Sequence, residues 1–220
     1  MTEENRLAPR QAERQAHWEG VYTSKEETGV SWFQDNPAPS LELIERIAAG
    51  NGKGKDTDIV DIGGGASRLP DHLLQRGFRR VAVLDISQAA LDLACLRIGR
   101  RASEVQWIAA DVTEWNPSHR FDIWHDRAAF HFLVDAADRA AYIARMAEAL
   151  RVGGHAIIAT FASDGPEKCS GLPVNRYDPD GLARELGDDF TLVDSRRHDH
   201  ATPWNATQRF QFSLFRRRDG

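Results

Sequence analysis

Only two cysteines, Cys95 and Cys169, occur in 220 residues. They could close one disulfide but not a framework, and nothing else in the chain suggests secretion. No apolar run approaches the roughly 18 residues that a membrane-spanning helix needs. The first 16 residues are polar and mixed in charge, without the apolar centre of a signal peptide. An excess of cations is missing too, since the formal net charge is -5. Broad nucleic-acid binding needs a cationic face to displace counterions, so it is not expected here. The runs Arg196-Arg197-His198 and Arg216-Arg217-Arg218 read as solvated strand ends. Internal repeats and low-complexity linkers are also lacking. The expectation is a cytoplasmic protein with neither a nucleic-acid nor a membrane partner.

What is present is a globular composition, 41% hydrophobic and 28% charged, in a length that suits one α/β domain with a full core. The loop Gly50 to Lys55 separates an N-terminal helical part, residues 1–50, from the rest, 51–220. Strand patterns at Asp58–Ile62, Arg80–Leu84, Glu104–Ala109, Phe121–His125 and His155–Phe161 alternate with helical ones. The helical patterns are Leu69–Arg76, Gln88–Arg100, Ala137–Leu150 and Pro179–Leu186. Gly153-Gly154 is expected to end the third of these helices. Such alternation implies a parallel sheet covered on both faces. At the end of the chain, Phe190–Arg197 and Arg209–Phe215 are both strand-like. The segment between them, Asp199–Gln208 with Pro203, is too short for a crossover, so the last strand should run antiparallel. Cys95 reads as a small core residue.

The chemistry concentrates at strand ends. The first strand leads into Asp61-Ile62-Gly63-Gly64-Gly65, where glycines permit a tight turn and close approach of a ligand. The second ends at Asp85, followed by Ile86, and a carboxylate there can accept both hydroxyls of a ribose. Together they point to a ligand containing adenosine. Asp61 decides which one. A carboxylate at the glycine turn would repel a pyrophosphate, and Arg68 stands where a dinucleotide fingerprint wants a third glycine. S-adenosylmethionine (SAM) has no phosphate and carries a sulfonium and an ammonium, for which an acid is favourable. Asp111-Val112, after the third strand, could meet the adenine edge. Asp111 could equally cap the turn that follows.

These residues resemble those of class I SAM-dependent methyltransferases: Asp61-x-Gly63-x-Gly65, Asp85 with Ile86, Asp111-Val112, and paired glycines before the fifth strand. Ser67 departs from the pattern, since the family usually has a further glycine there. The resemblance implies an α/β Rossmann-like sheet of seven strands, order 3-2-1-4-5-7-6, with strand 7 antiparallel and an N-terminal helical cap. It implies SAM as cofactor. His17-Trp18-x-x-x-Tyr22 and Ser31-Trp32-Phe33-Gln34 are similar to the cap of the citrate synthase-lysine methyltransferase group. In that group the aromatic pairs fold over the methionine end of SAM. Aromatic faces attract a sulfonium, although Trp18 and Trp32 could also simply staple the cap to the domain.

The acceptor site is expected after the fourth strand. His125, Asp126 and His131 are the candidate catalytic residues, with His125 also placed against the cofactor. Either histidine could take a proton from a neutral nucleophile, and Asp126 could position an amine or hold His131. A satisfied structural role is the alternative for an isolated histidine. The segment Ala162–Tyr177, with Asp164, Glu167, Lys168, Cys169 and Tyr177, is expected to wall the acceptor pocket. His198-Asp199-His200 reads as a solvated turn, and no metal site is expected. Two acceptor classes remain open: a protein lysine, favoured by the cap, and a small molecule or thiol, favoured by Arg127, which would repel a lysine ammonium. A SAM-binding module without turnover is a third reading.

Overall fold

The computed structural model describes residues 4–219, with side chains from residue 11 onward. Seven strands form one sheet: β1 (Ile59–Ile62), β2 (Val81–Asp85), β3 (Val105–Ala109), β4 (Phe121–Arg127), β5 (Leu150–Phe161), β6 (Phe190–Ala201) and β7 (Thr207–Arg217). Their order is β3-β2-β1-β4-β5-β7-β6, and β7 runs antiparallel to both of its neighbours. The parallel strands and the antiparallel β7 agree with the alternation and the short final connection, and the strand order is the one the resemblance implies.

Among the described residues six α-helices surround the sheet: α1 (Glu4–Ser24), α2 (Ala38–Gly50), α3 (Leu69–Gln75), α4 (Gln88–Ile98), α5 (Ala136–Ala149) and α6 (Pro179–Leu186). Side chains alternate across each strand, so every strand feeds two cores. Ile59, Val81, Val83, Ile123 and Ile157 pack with α2 and α3 on one face. Val60, Leu84, Trp124, Ala156 and Ile158 pack with α5 and α6 on the other. No helix among the described residues is long and apolar enough to cross a membrane.

Three sequence expectations change. Gly153-Gly154 does not end α5, which stops at Ala149, and Leu150 already pairs with Phe121. The glycines sit in an irregularity of β5, with Gly153 at φ +75°. A Cβ on Gly154 would lie 2.8 Å from the Arg151 carbonyl, so close backbone packing is what demands glycine there. His198-Asp199-His200 is not a turn but part of β6. His200 is buried, with Nε2 2.7 Å from the Ser31 carbonyl oxygen, and burial together with Arg127 lowers its pKa to about 4. The neutral ring therefore donates from Nε2 to that carbonyl. Cys95 is only half-buried, on the outer side of α4.

Candidate active site

The carboxyl ends of β1, β2, β3 and β4 converge under α1 and the segment 30–36. Two adjoining cavities lie there, of about 110 and 50 Å³. Tyr22, Trp32, Gly63 and Arg127 line both.

The larger cavity holds most of the residues expected for an adenosine: Asp85, Ile86, Asp111 and Val112, with Trp18, Tyr22 and Trp32 as a roof. Asp85 is the last residue of β2, and its Oδ1 accepts from the Ser87 N–H at 2.8 Å. Burial raises its pKa to about 7, opposed by that bond and reinforced by Asp61 and Glu19. Gly65, at φ +40°, makes room for this carboxylate. A Cβ there would sit 2.7 Å from Asp85 Oδ2 and 3.1 Å from the Tyr22 hydroxyl. Asp111 Oδ1 accepts from the Thr113 N–H and hydroxyl, at 2.9 and 2.7 Å, so the turn-capping role anticipated for it is present. Its Oδ2 accepts from Arg14 at 2.7 Å.

Arg14 was not visible as a site residue in the strand-end motifs. The signal lay in α1, where Arg14, Trp18 and Tyr22 are spaced by four and so share one face. All three line the larger cavity. Arg14 also bonds Asp138 on α5 at 2.5 Å. Glu19, on the same helix, accepts from the Gln88 and Ala89 N–H groups at 2.7 and 3.2 Å, and from the Ser87 hydroxyl at 3.2 Å. It thus satisfies orphan donors at the start of α4. The roof rings contact edge to face: Trp18 lies 5.7 Å from Trp32 and 5.0 Å from Phe132.

The smaller cavity is built on Asp61, Gly63, Ser40 and His125. Asp61 and His125 are paired across β1 and β4 and point to the α2 face. His125 Nδ1 is 2.6 Å from Asp61 Oδ1, and Nε2 is 2.8 Å from the Ser40 hydroxyl on α2. Both ring nitrogens are engaged, so the expected role of His125 as a free proton acceptor does not fit this geometry. It orients Asp61 instead. Asp61 Oδ2 is buried and has no partner.

Asp126 is one residue further along β4 and therefore faces the opposite core, away from both cavities. It is fully buried, and it accepts from the Tyr142 hydroxyl at 2.6 Å and from the Ala129 and Phe130 N–H groups at 2.8 and 3.0 Å. Burial raises its pKa to about 6 against these bonds. Those N–H groups belong to the turn after β4, where Ala128 takes φ +72°. A non-glycine residue in that region costs about 1 kcal/mol, so Asp126 holds a strained turn in place. His131 lines neither cavity. It is fully buried, and burial with Arg127 nearby lowers its pKa to about 3. Its Nδ1 accepts from the Phe161 N–H at 3.4 Å. Neither residue reaches an acceptor in the cavities, because strand alternation and the turn carry them into the core.

Of the segment 162–177, only Cys169 reaches the larger cavity. It lies in a two-residue ribbon, Lys168–Cys169 against Leu172–Pro173. Burial raises its thiol to about 11, which makes it a neutral packing group. Asp164 pairs with Arg197 and Arg209, Glu167 with Arg176, and Tyr177 packs on Phe130 in the opposite core. Arg127 completes the wall. Its Nη1 donates to the Trp32 carbonyl at 2.9 Å, its guanidinium covers the Phe210 ring at 5.1 Å, and Nε and Nη2 are buried without partners.

Comparison with known proteins agrees with this geometry. Residues 59–154 match the methyltransferase domain family. Three solved structures share the fold at 19–23% identity. One is the 1,6-didemethyltoxoflavin N1-methyltransferase of Burkholderia thailandensis with bound 1,6-didemethyltoxoflavin and S-adenosylhomocysteine. It is 23% identical, with a TM-score of 0.66, over 100% of this chain and 92% of that one. Another is the N-methyltransferase NodS of Bradyrhizobium japonicum, 20% identical, TM-score 0.64, over 84% and 99%. The third comes from work on converting a disulfide bond into a thioacetal group in echinomycin biosynthesis. It is 19% identical, TM-score 0.71, over 91% and 90%. No curated protein sequence matches the chain.

Proposed function

We propose that this chain, whose residues 59–154 match a methyltransferase domain family, moves the methyl group of SAM to a small nucleophilic molecule. The observation that carries the reading is Asp61 Oδ2, a buried carboxylate oxygen with no partner in the smaller cavity. A buried carboxylate oxygen without a partner is costly, and the ammonium of SAM is a donor of the right kind to relieve it. Asp85 suits the ribose hydroxyls, Asp111 and Val112 the adenine edge, and Trp18, Tyr22 and Trp32 the sulfonium. Asp61 is oriented by His125, and Gly65 leaves Asp85 the room it needs.

SAM supplies a methyl carbon bound to a positive sulfur. The acceptor's lone pair forms the new bond to that carbon, the C–S pair returns to sulfur, and S-adenosylhomocysteine leaves as a neutral thioether. A neutral N–H, O–H or S–H acceptor also gives up a proton. What the chain contributes is alignment and exclusion of water under the aromatic roof.

A small acceptor is favoured over a protein lysine by Arg127. Arg127 lines both cavities, and a protonated lysine entering them would meet its charge. The lysine reading draws support from the aromatic cap alone. The B. thailandensis and NodS structures are those of N-methyltransferases, the former with a small heterocycle bound. Incubating the protein with methyl-labelled SAM and a cell extract tests the proposal. Label in the small-molecule fraction is the expected result. Label confined to protein would return the lysine reading, and binding of SAM without any transfer would leave a binding module.

A further inference from the structure

Arg127 ends β4, and its guanidinium is used unevenly. Nη1 donates to the Trp32 carbonyl, while Nε and Nη2, both buried, have no partner. Those two atoms form one edge of the planar group, with N–H bonds running parallel. That edge matches the two oxygens of a carboxylate. No carboxylate lies within ion-pair distance of Arg127 among the described residues, whereas Arg14, Arg68 and Arg97 each have two. Burial has already drawn its pKa down to about 10. A buried cation with its best donor edge unused is costly unless a ligand completes it.

We propose that the Nε–Nη2 edge of Arg127 is the binding site for a carboxylate-type oxyanion carried by the methyl acceptor. This rests on the methyltransferase reading of the same site. Charge supports the assignment to the acceptor. The α-carboxylate of SAM is tied to its ammonium, for which Asp61 is the partner. Arg127 lies on the wall common to both cavities, together with the roof residue Trp32 and next to Ala128. A sulfonium and a guanidinium on one wall make that region doubly positive. An anionic acceptor is drawn in and a cationic one repelled. A two-point contact also fixes the acceptor's orientation, which is most of what methyl transfer asks of a protein.

Arginine Nε–H signals in the nitrogen-15 spectrum of the full chain test this directly, with R127K identifying the Arg127 signal by its loss. Three additions are compared: 5′-methylthioadenosine, which lacks the amino-acid moiety; S-adenosylhomocysteine; and acetate or benzoate added to protein saturated with S-adenosylhomocysteine. The proposal expects the Arg127 signal to move when the carboxylate is added, with acetamide as an inactive control. S-adenosylhomocysteine should bind R127K and R127Q within about threefold of the parent. A shift produced by S-adenosylhomocysteine but not by methylthioadenosine, with a tenfold affinity loss in R127Q, would assign the edge to the cofactor and overturn the proposal. No shift under any addition, while S-adenosylhomocysteine binds, would overturn it too. Failure of the parent protein to bind S-adenosylhomocysteine at all would strike the methyltransferase reading instead. R127K keeps the buried charge and serves if R127Q does not fold.

Discussion

Asp61 and His125 stand opposite one another on adjacent parallel strands, with His125 Nδ1 2.6 Å from Asp61 Oδ1. The histidine is itself held by Ser40, so the carboxylate that would meet the SAM ammonium is fixed from behind by a relay of two side chains. His125→Ala should therefore weaken S-adenosylhomocysteine binding by about tenfold, the loss of roughly one charge-assisted hydrogen bond's worth of ordering. Ser40→Ala should act in the same direction and less strongly. Calorimetry decides the matter: an unchanged affinity accompanied by a slowed methyl transfer would mean that His125 takes a proton after all.

Asp85 should make cofactor binding pH-dependent. Burial lifts its pKa from 3.8 to about 7, so between those values the folded chain holds a proton that the unfolded chain releases. The contribution of this group to stability therefore falls as pH rises from about 4 to 7. Ribose hydroxyls donate to the ionised form, so binding should expel that proton and strengthen as pH rises through about 7. Titrations of S-adenosylhomocysteine in buffers of different ionisation enthalpy should reveal proton release below pH 7. Asp85→Asn should abolish the release and cost about 1.5–3 kcal/mol of affinity.

Asp126 should prove to be a stability residue. Asp126→Ala strips the Tyr142 hydroxyl and two turn N–H groups of their buried acceptor, at a cost of about 3 kcal/mol. A melting temperature lower by roughly 6–12 °C is expected on that basis. At temperatures where the variant is folded, S-adenosylhomocysteine should bind nearly as tightly as to the parent. A variant that melts like the parent but has lost turnover would restore the catalytic role expected from sequence.

Arg14 is predicted to govern how firmly α1 closes. Arg14→Gln leaves the nearly buried Asp111 and Asp138 without their shared cation. Trypsin should cut within the first 25 residues faster than in the parent, and the indole emission of Trp18 and Trp32 should shift toward that of exposed rings. Saturating S-adenosylhomocysteine should reverse part of both changes, because a ligand held under α1 favours the docked form. Parental cleavage rates in the variant would show that α1 is held by Glu19 and the aromatic contacts alone.

The sheet was legible because its signals are local. Each strand is a short apolar run, and the short segment between the final two leaves no room for a crossover. That Asp61, Asp85 and Asp111 stand together at the cavities was legible for the same reason, since the end of a strand fixes where its next side chain points. The acceptor side was not. His125 and Asp126 differ by one residue and so face opposite cores, and the start of the alternation could not be fixed without knowing which face α2 covers. His131 is carried into the interior by a turn whose shape depends on Ala128 holding a positive φ, a conformation that no residue preference announces. Arg14 was hidden in a polar helix, where only its spacing from Trp18 and Tyr22 carried information.

The grip on α1 also bears on the order in which the chain is made. Arg14 finds its partners 97 and 124 residues downstream, and Glu19 reaches across 68 to 70. α1 therefore has nothing to close upon until β2, β3 and the start of α5 have been synthesised and assembled. Its own sequence offers little apolar surface, and most helical stability in proteins comes from packing an apolar face. α1 is thus among the last elements to settle, and until it does Asp85 and Asp111 lack the roof over their cavity.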